Sequence, residues 1–167
     1  MRVFETASPD AGAVLPGANF ADTWGITPVP ADLDLYATSV CLGRVLPVWV
    51  RLLLRLRDFL VRPFGLTGAR DVQTEDGPFF PLISQGKDGV VLGLDDRHLD
   101  FRLFMTRGVT GDGLPSLMVT TFVRTHNMGG RLYLAAVKPF HRLIVPTMMR
   151  RALDDNQRLS DGVRTLD

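Results

Sequence analysis

The chain contains one cysteine, Cys41. It therefore cannot form an internal disulfide, and its composition suits a reducing compartment. Its three histidines, at 98, 126 and 141, lack the close spacing of a zinc site. No uninterrupted apolar run approaches the ~20 residues of a membrane span. The opening MRVFETASPDAGAVLPG places acid, proline and glycine where a signal peptide needs a continuous apolar stretch. An excess of one charge sign is missing too: 19 basic residues against 18 acidic ones give +1, which leaves no footprint of wholesale nucleic-acid binding. Neither Gly-x-Gly-x-x-Gly nor Gly-x-Ser-x-Gly occurs, so nucleotide binding and serine-hydrolase chemistry have no support. These absences point to a cytoplasmic protein with no metal, cofactor, nucleic-acid partner or stable membrane insertion.

What is present suffices for one domain with a real core, since 46% of the 167 residues are hydrophobic. The stretch that organises the rest is 129–153, GGRLYLAAVKPFHRLIVPTMMRRAL. At 100° per residue Tyr133, Ala136, Val137, Phe140, Leu143, Ile144 and Met148 fall on one broad face. Arg131, Lys138 and Arg142 fall on the other. A helix of this length spans roughly 35 Å and needs a wide apolar surface to lie on. Pro139 and Pro146 sit in its interior, where they either bend the helix or break it.

The preceding residues supply that surface. Residues 1–16, rich in Ala, Pro, Gly and Asp, read as a flexible arm. A first, edge strand is expected near 20–26. A short helix is expected over 33–42, capped by Asp32 and ended by Gly43. A second helix over 47–62 carries a polar stripe of Arg51, Arg55, Asp58 and Arg62 opposite Trp49, Leu53, Leu56 and Leu60. Strand signals follow at 79–84, 90–94, 98–106 and 117–126. Residues 98–106 alternate cleanly, with Leu99, Phe101, Leu103 and Met105 on one face and His98, Asp100, Arg102 and Phe104 on the other. Residues 117–126 alternate less clearly, and their inward face is left open. The tail from 156 is polar and expected to fray. This order implies an α+β domain over 17–155, its long C-terminal helix covering an antiparallel sheet.

Four blocks, VWVRLLLRLRDFLVRPFGL at 48–66, GLDDRHLDFR at 93–102, VRTHNMGGRLYL at 123–134 and VKPFHRLIV at 137–145, carry a resemblance that spans roughly 18–153. The sequence resembles a bacterial family of unknown function whose members also occur as C-terminal domains of some short-chain-dehydrogenase-like proteins. That family is similar to the START-like (SRPBCC) helix-grip superfamily of polyketide cyclases, hormone binders and lipid-transfer proteins. The resemblance implies a curved antiparallel sheet gripping the last helix, with the two shorter helices at one end and a cavity between. It supplies no catalytic residues.

Candidates for chemistry come from the residues themselves. Arg124 and His126 end the last strand beside the glycines, where a cavity mouth is expected, and an imidazole exchanges protons near neutrality. The competing reading is a turn closed by backbone hydrogen bonds. His141 flanks the apolar helix face and either lines the cavity or holds one boundary hydrogen bond. Arg57 projects on the apolar side of its helix and needs an anion, supplied by a structural carboxylate or by a ligand. Asp95, Asp96, His98, Asp100 and Arg102 read either as acid–base groups or as an outer face of cross-strand ion pairs.

The leading expectation is a binder of a small hydrophobic, polyketide-like or lipidic, molecule. Its pocket is lined by Trp49, Arg57, Phe101, Leu103, Tyr133, Val137, Phe140 and Ile144. The second is a cyclase, isomerase or dehydratase in which His126, with Arg124 or His141, moves a proton. The third is an interaction module that docks through the Trp49 helix or a sheet edge. A homodimer is compatible with each.

Overall fold

A computed structural model of the chain describes residues 1–44, Val48 and 80–164, with side chains at 1–42, Val48 and 80–156. The expected 47–62 helix, Trp49 and Arg57 lie outside the described residues. Six strands, β1 (Arg2–Thr6), β2 (Phe20–Thr27), β3 (Leu82–Gly86), β4 (Gly89–Asp95), β5 (Leu99–Val109) and β6 (Pro115–Thr125), form one sheet in the order β1-β2-β6-β5-β4-β3. Every neighbouring pair is antiparallel. Among the described residues two α-helices accompany it, α1 (Leu35–Arg44) and α2 (Met128–Arg164). The class is α+β, as expected: an open antiparallel sheet with a long C-terminal helix.

Strand register lays the helix-side residues out in rows. Phe20, Val123, Phe101 and Leu94 form one row, Asp22, Thr121, Leu103 and Leu92 the next, and Trp24, Val119, Met105 and Val90 a third. Side chains alternate along each strand, so all twelve share the face under α2. Met105, Leu92, Val119 and Val90 on this face join Val145, Met149, Ala152 and Leu153 of α2 and Leu35, Cys41 and Leu42 of α1 in one buried core. The clean alternation at 98–106 thus placed Leu103 and Met105 inward and Asp100 and Arg102 outward.

The opposite face is covered as well, by a segment expected to be loose. Residues 2–6 pair with β2, which is therefore an interior strand and not an edge. Residues 8–17 then cross the outer face: the Thr23 hydroxyl donates to Ser8 Oγ at 3.0 Å, and Arg124 donates to the Pro16 carbonyl at 3.0 Å. Under this strap Phe122, Thr120 and Thr23 are buried, as is Leu15 within it. β6 is consequently buried on both faces, which is why its sequence does not alternate clearly.

The helices differ from expectation at their ends. The cap of α1 is Asp34 and not Asp32, its carboxylate accepting from the Ala37 amide at 3.0 Å. α2 passes through both prolines without a break and runs on to Arg164, well beyond the expected fraying point. Each proline removes the partner of the carbonyl four residues earlier, at Ala135 and Arg142, and both residues are on the exposed side of the helix, where the loss costs least. The face of α2 on the sheet is Leu134, Val137, His141, Val145, Met149 and Ala152. Ala136, Phe140 and Leu143 of the expected apolar face turn outward, Phe140 being 44% exposed.

Candidate functional site

Asn127 ends the β6–α2 turn and caps α2. Its Oδ1 accepts from the Gly130 amide at 3.1 Å and lies 3.0 Å from His98 Nδ1. This turn sets where the first half of α2 returns over the upper rows of the sheet, and so where His141 arrives.

His141 meets the second row. Its Nδ1 lies 2.9 Å from Asp22 Oδ2, and its Nε2 lies 3.4 Å from the Thr121 hydroxyl. Trp24 Nε1 also donates to Asp22 Oδ2, at 3.1 Å. A carboxylate only accepts, so Nδ1 carries a proton; with the ring neutral, Nε2 then accepts from the Thr121 hydroxyl. Asp22 Oδ1 is buried and has no hydrogen-bond partner. Phe20 stands edge-on to the imidazole, ring centroids 6.4 Å apart, and Lys138 Nζ lies 5.2 Å from the centroid of the Phe20 ring. Such an arrangement can accept a hydrogen bond or a proton at Nε2 while Asp22 holds the ring in place.

The apolar side chains around this polar group are not closed off. Phe101, Leu103, Tyr133, Val137 and Ile144 all remain half-buried, whereas Met105, Leu92, Val119, Met149 and Leu153 further along are buried. α2 is thus buried along its C-terminal half, in the core it shares with α1 and the sheet, and more exposed along its N-terminal half. Of the expected lining residues, Phe101 and Leu103 lie on the sheet side and Val137 and Ile144 on the helix side. Tyr133 lies at the flank, and Phe140 points away.

The structure separates His126 and Arg124 from this group. Both lie on the outer face with Asp100, the cross-strand partner of Arg124. His126 Nε2 is 2.9 Å from Asp100 Oδ1, and Arg124 Nε and Nη2 reach Oδ2 at 3.0 and 2.5 Å. Burial pushes the Asp100 carboxyl up, but the hydrogen bonds and charges of His126 and Arg124 outweigh it and hold the group below its ordinary value. The polar run around it divides into separate contacts. Asp95 pairs with Arg102 across strands at 2.6 Å, and Asp96 accepts from the His98 amide.

The lowered Asp100 value gives a pH prediction. The folded protein binds this proton more weakly than the unfolded chain, so the contribution is complete above the unfolded value of about 3.9 and is lost as pH falls through the folded one. Asp100→Asn is expected to cost about 1–2 kcal/mol at pH 7, discounted because Arg124 is half-exposed. It should also flatten the fall in stability below about pH 4. Urea unfolding of both proteins at pH 7 and pH 3 checks this, and an equal difference at the two pH values would refute it.

Asp22, Thr121 and Trp24 were not singled out from the sequence. One signal was present: in FADTWGI, Phe20, Asp22, Trp24 and Ile26 share a face, and a carboxylate among three large apolar groups calls for a partner. Among the described residues no group of three or more His, Cys, Asp or Glu could hold a metal ion. No described helix is long and apolar enough to cross a membrane.

Residues 14–148 match the family described as "Protein of unknown function (DUF2867)". The chain belongs to this family. The match runs from the strap through His141, so all three polar groups of the inner site, Asp22, Thr121 and His141, fall within the family's span. No curated protein and no solved structure matches the chain.

Proposed function

We propose that this DUF2867 chain is a START-like helix-grip protein of the cytoplasm that binds a small hydrophobic molecule between α2 and the sheet. The observation that carries the reading is the half-open N-terminal end of the helix–sheet contact, where Phe101, Leu103, Val137 and Ile144 keep accessible surface around the Asp22–His141 pair. Apolar walls with one polar group that fixes orientation are what a small-molecule site requires. A cleft open at one end also lets a ligand enter without unfolding the buried half. The polyketide-like or lipidic class is what the helix-grip resemblance implies, and apolar walls suit it.

The same pair favours a second reading, in which His141 moves a proton on the bound molecule as an isomerase, cyclase or dehydratase would. There Asp22 orients the imidazole. His126 and Arg124 take no part, since the sheet separates them from the cleft.

Native mass spectrometry of protein purified from its own host tests the proposal. The expected result is a small-molecule adduct that is absent under denaturing conditions and lost in Val137→Trp, which fills the cleft. A native mass equal to that of the polypeptide alone, or to an even multiple of it in a homodimer, overturns it. Under the second reading a supplied ligand returns as an isomer or with the mass of one water removed.

A further inference from the structure

We infer that the bound molecule presents a neutral hydroxyl group, phenol-like in character, which donates a hydrogen bond to Nε2 of His141 in place of Thr121. The inference rests on the cleft reading above and adds the chemistry of the ligand's polar end.

Three observations carry it. First, Asp22 Oδ2 accepts a hydrogen bond from Nδ1 at 2.9 Å, so in the neutral ring Nε2 is the acceptor, facing Thr121. Second, its present partner is weakly held. The contact with the Thr121 hydroxyl is 3.4 Å, at the long limit for a hydrogen bond, so a better-placed donor displaces it at little cost. The His141 side chain keeps 19% of its surface accessible, so it can be reached. Third, the group has more acceptors than donors. Asp22 Oδ2 accepts from both His141 and Trp24, while Oδ1 is buried and has no hydrogen-bond partner. An incoming acceptor would add to that surplus, whereas a donor that takes the place of Thr121 leaves it no larger.

The charge of the site narrows the class. A ligand carboxylate on Nε2 would stand behind an imidazole already facing Asp22, and two like charges in a poorly solvated space repel. Lys138, over the Phe20 ring at the rim, offers an anion a competing attraction outside the cleft. A neutral hydroxyl avoids the first and does not need the second. The walls favour an aromatic body for that hydroxyl: Phe20 stands edge-on to His141, and Phe101, on the same sheet face, packs at a tilt against Phe80 with ring centroids 4.6 Å apart.

Titration calorimetry with naphthalene, 1-naphthol and 1-naphthoate tests this on the full chain. The expected result is that 1-naphthol binds at least about ten-fold more tightly than either of the others, and that His141→Phe reduces it to the level of naphthalene. Thr121→Val removes the internal competitor while keeping its shape and is expected to strengthen 1-naphthol binding by about two- to five-fold. Equal binding of naphthalene and 1-naphthol overturns the hydroxyl inference and leaves the cleft intact. Tightest binding of 1-naphthoate overturns it in favour of Lys138. Binding of none of the three overturns inference and cleft together. Should His141→Phe fail to fold, weaker 1-naphthol binding by Thr121→Val is by itself sufficient to refute the inference.

Discussion

Gly130→Ala is expected to lower stability by roughly 2–4 kcal/mol, while Gly129→Ala, one residue earlier, stays within about 1 kcal/mol of the parent. A Cβ at Gly130 would stand 2.1 Å from the backbone carbonyl oxygen of His98 and 3.4 Å from Cβ of Thr125. That carbonyl cannot move aside, because it accepts the His126 amide at 2.9 Å and so closes the turn onto the sheet. Inserting one methyl group therefore forces α2 away from β5 and β6, or breaks that bond. At Gly129 the nearest atoms to a new Cβ are Asn127 Oδ1 and His98 Nδ1, both at 3.2 Å and both at the ends of side chains. They can shift by tenths of an ångström, and the helix gains up to about 1 kcal/mol from replacing glycine. Urea unfolding measures both. The pair is a test of backbone approach as such, since chain entropy alone would make both substitutions stabilising and equal losses would refute the argument. Because the junction aims the first half of α2, Gly130→Ala should also weaken ligand uptake in the His141 cleft, and Gly129→Ala should not.

Which parts of this arrangement could be read in advance follows from where burial is one-sided. β5 alternates because Asp100 and Arg102 face one way and Leu103 and Met105 the other, so its inward face was legible from spacing alone. β6 is buried on both sides, and the alternation that would mark its inward face is erased. The strap at 8–17 looked loose because most of its residues are small or polar; its fixing contacts, Ser8 to Thr23 and Pro16 to Arg124, are single hydrogen bonds to residues far along the chain. In α2 the apolar residues extend around more than half of the helix, so the count of hydrophobic positions could not say which were inward. The ridge from Leu134 through His141 to Met149 is decided by the sheet. For the site, His141 could be proposed as a boundary histidine, but its partner Asp22 lies 119 positions away in sequence, and pattern reasoning has no access to that separation. His126 shows the converse. Its place at the end of a strand beside a glycine hinge was read correctly, yet strand parity puts it with Asp100 on the face away from α2.

Leucine truncations along α2 should report its two halves directly. Leu153 is fully buried in the core shared by α1, α2 and the sheet, and Leu153→Ala is expected to cost roughly 2–5 kcal/mol. Leu134 lies on the sheet-facing side of the same helix, one turn above Val137, and is only half-buried. Leu134→Ala removes the same atoms, but part of their surface already meets solvent, and the space left behind opens to water instead of forming a sealed void. The expected cost is below about 1.5 kcal/mol. Equilibrium unfolding compares the two. A similar large loss at both positions would mean that the N-terminal half of α2 is packed as tightly as the rest, leaving no room for a ligand beside His141. If the losses differ as expected, the same pair separates fold from function. Leu153→Ala destabilises a protein whose remaining folded molecules still take up 1-naphthol, whereas Leu134→Ala leaves the fold nearly intact and changes the wall of the cleft. Affinity for 1-naphthol would then move in Leu134→Ala and stay unchanged in Leu153→Ala, the reverse of their order in stability.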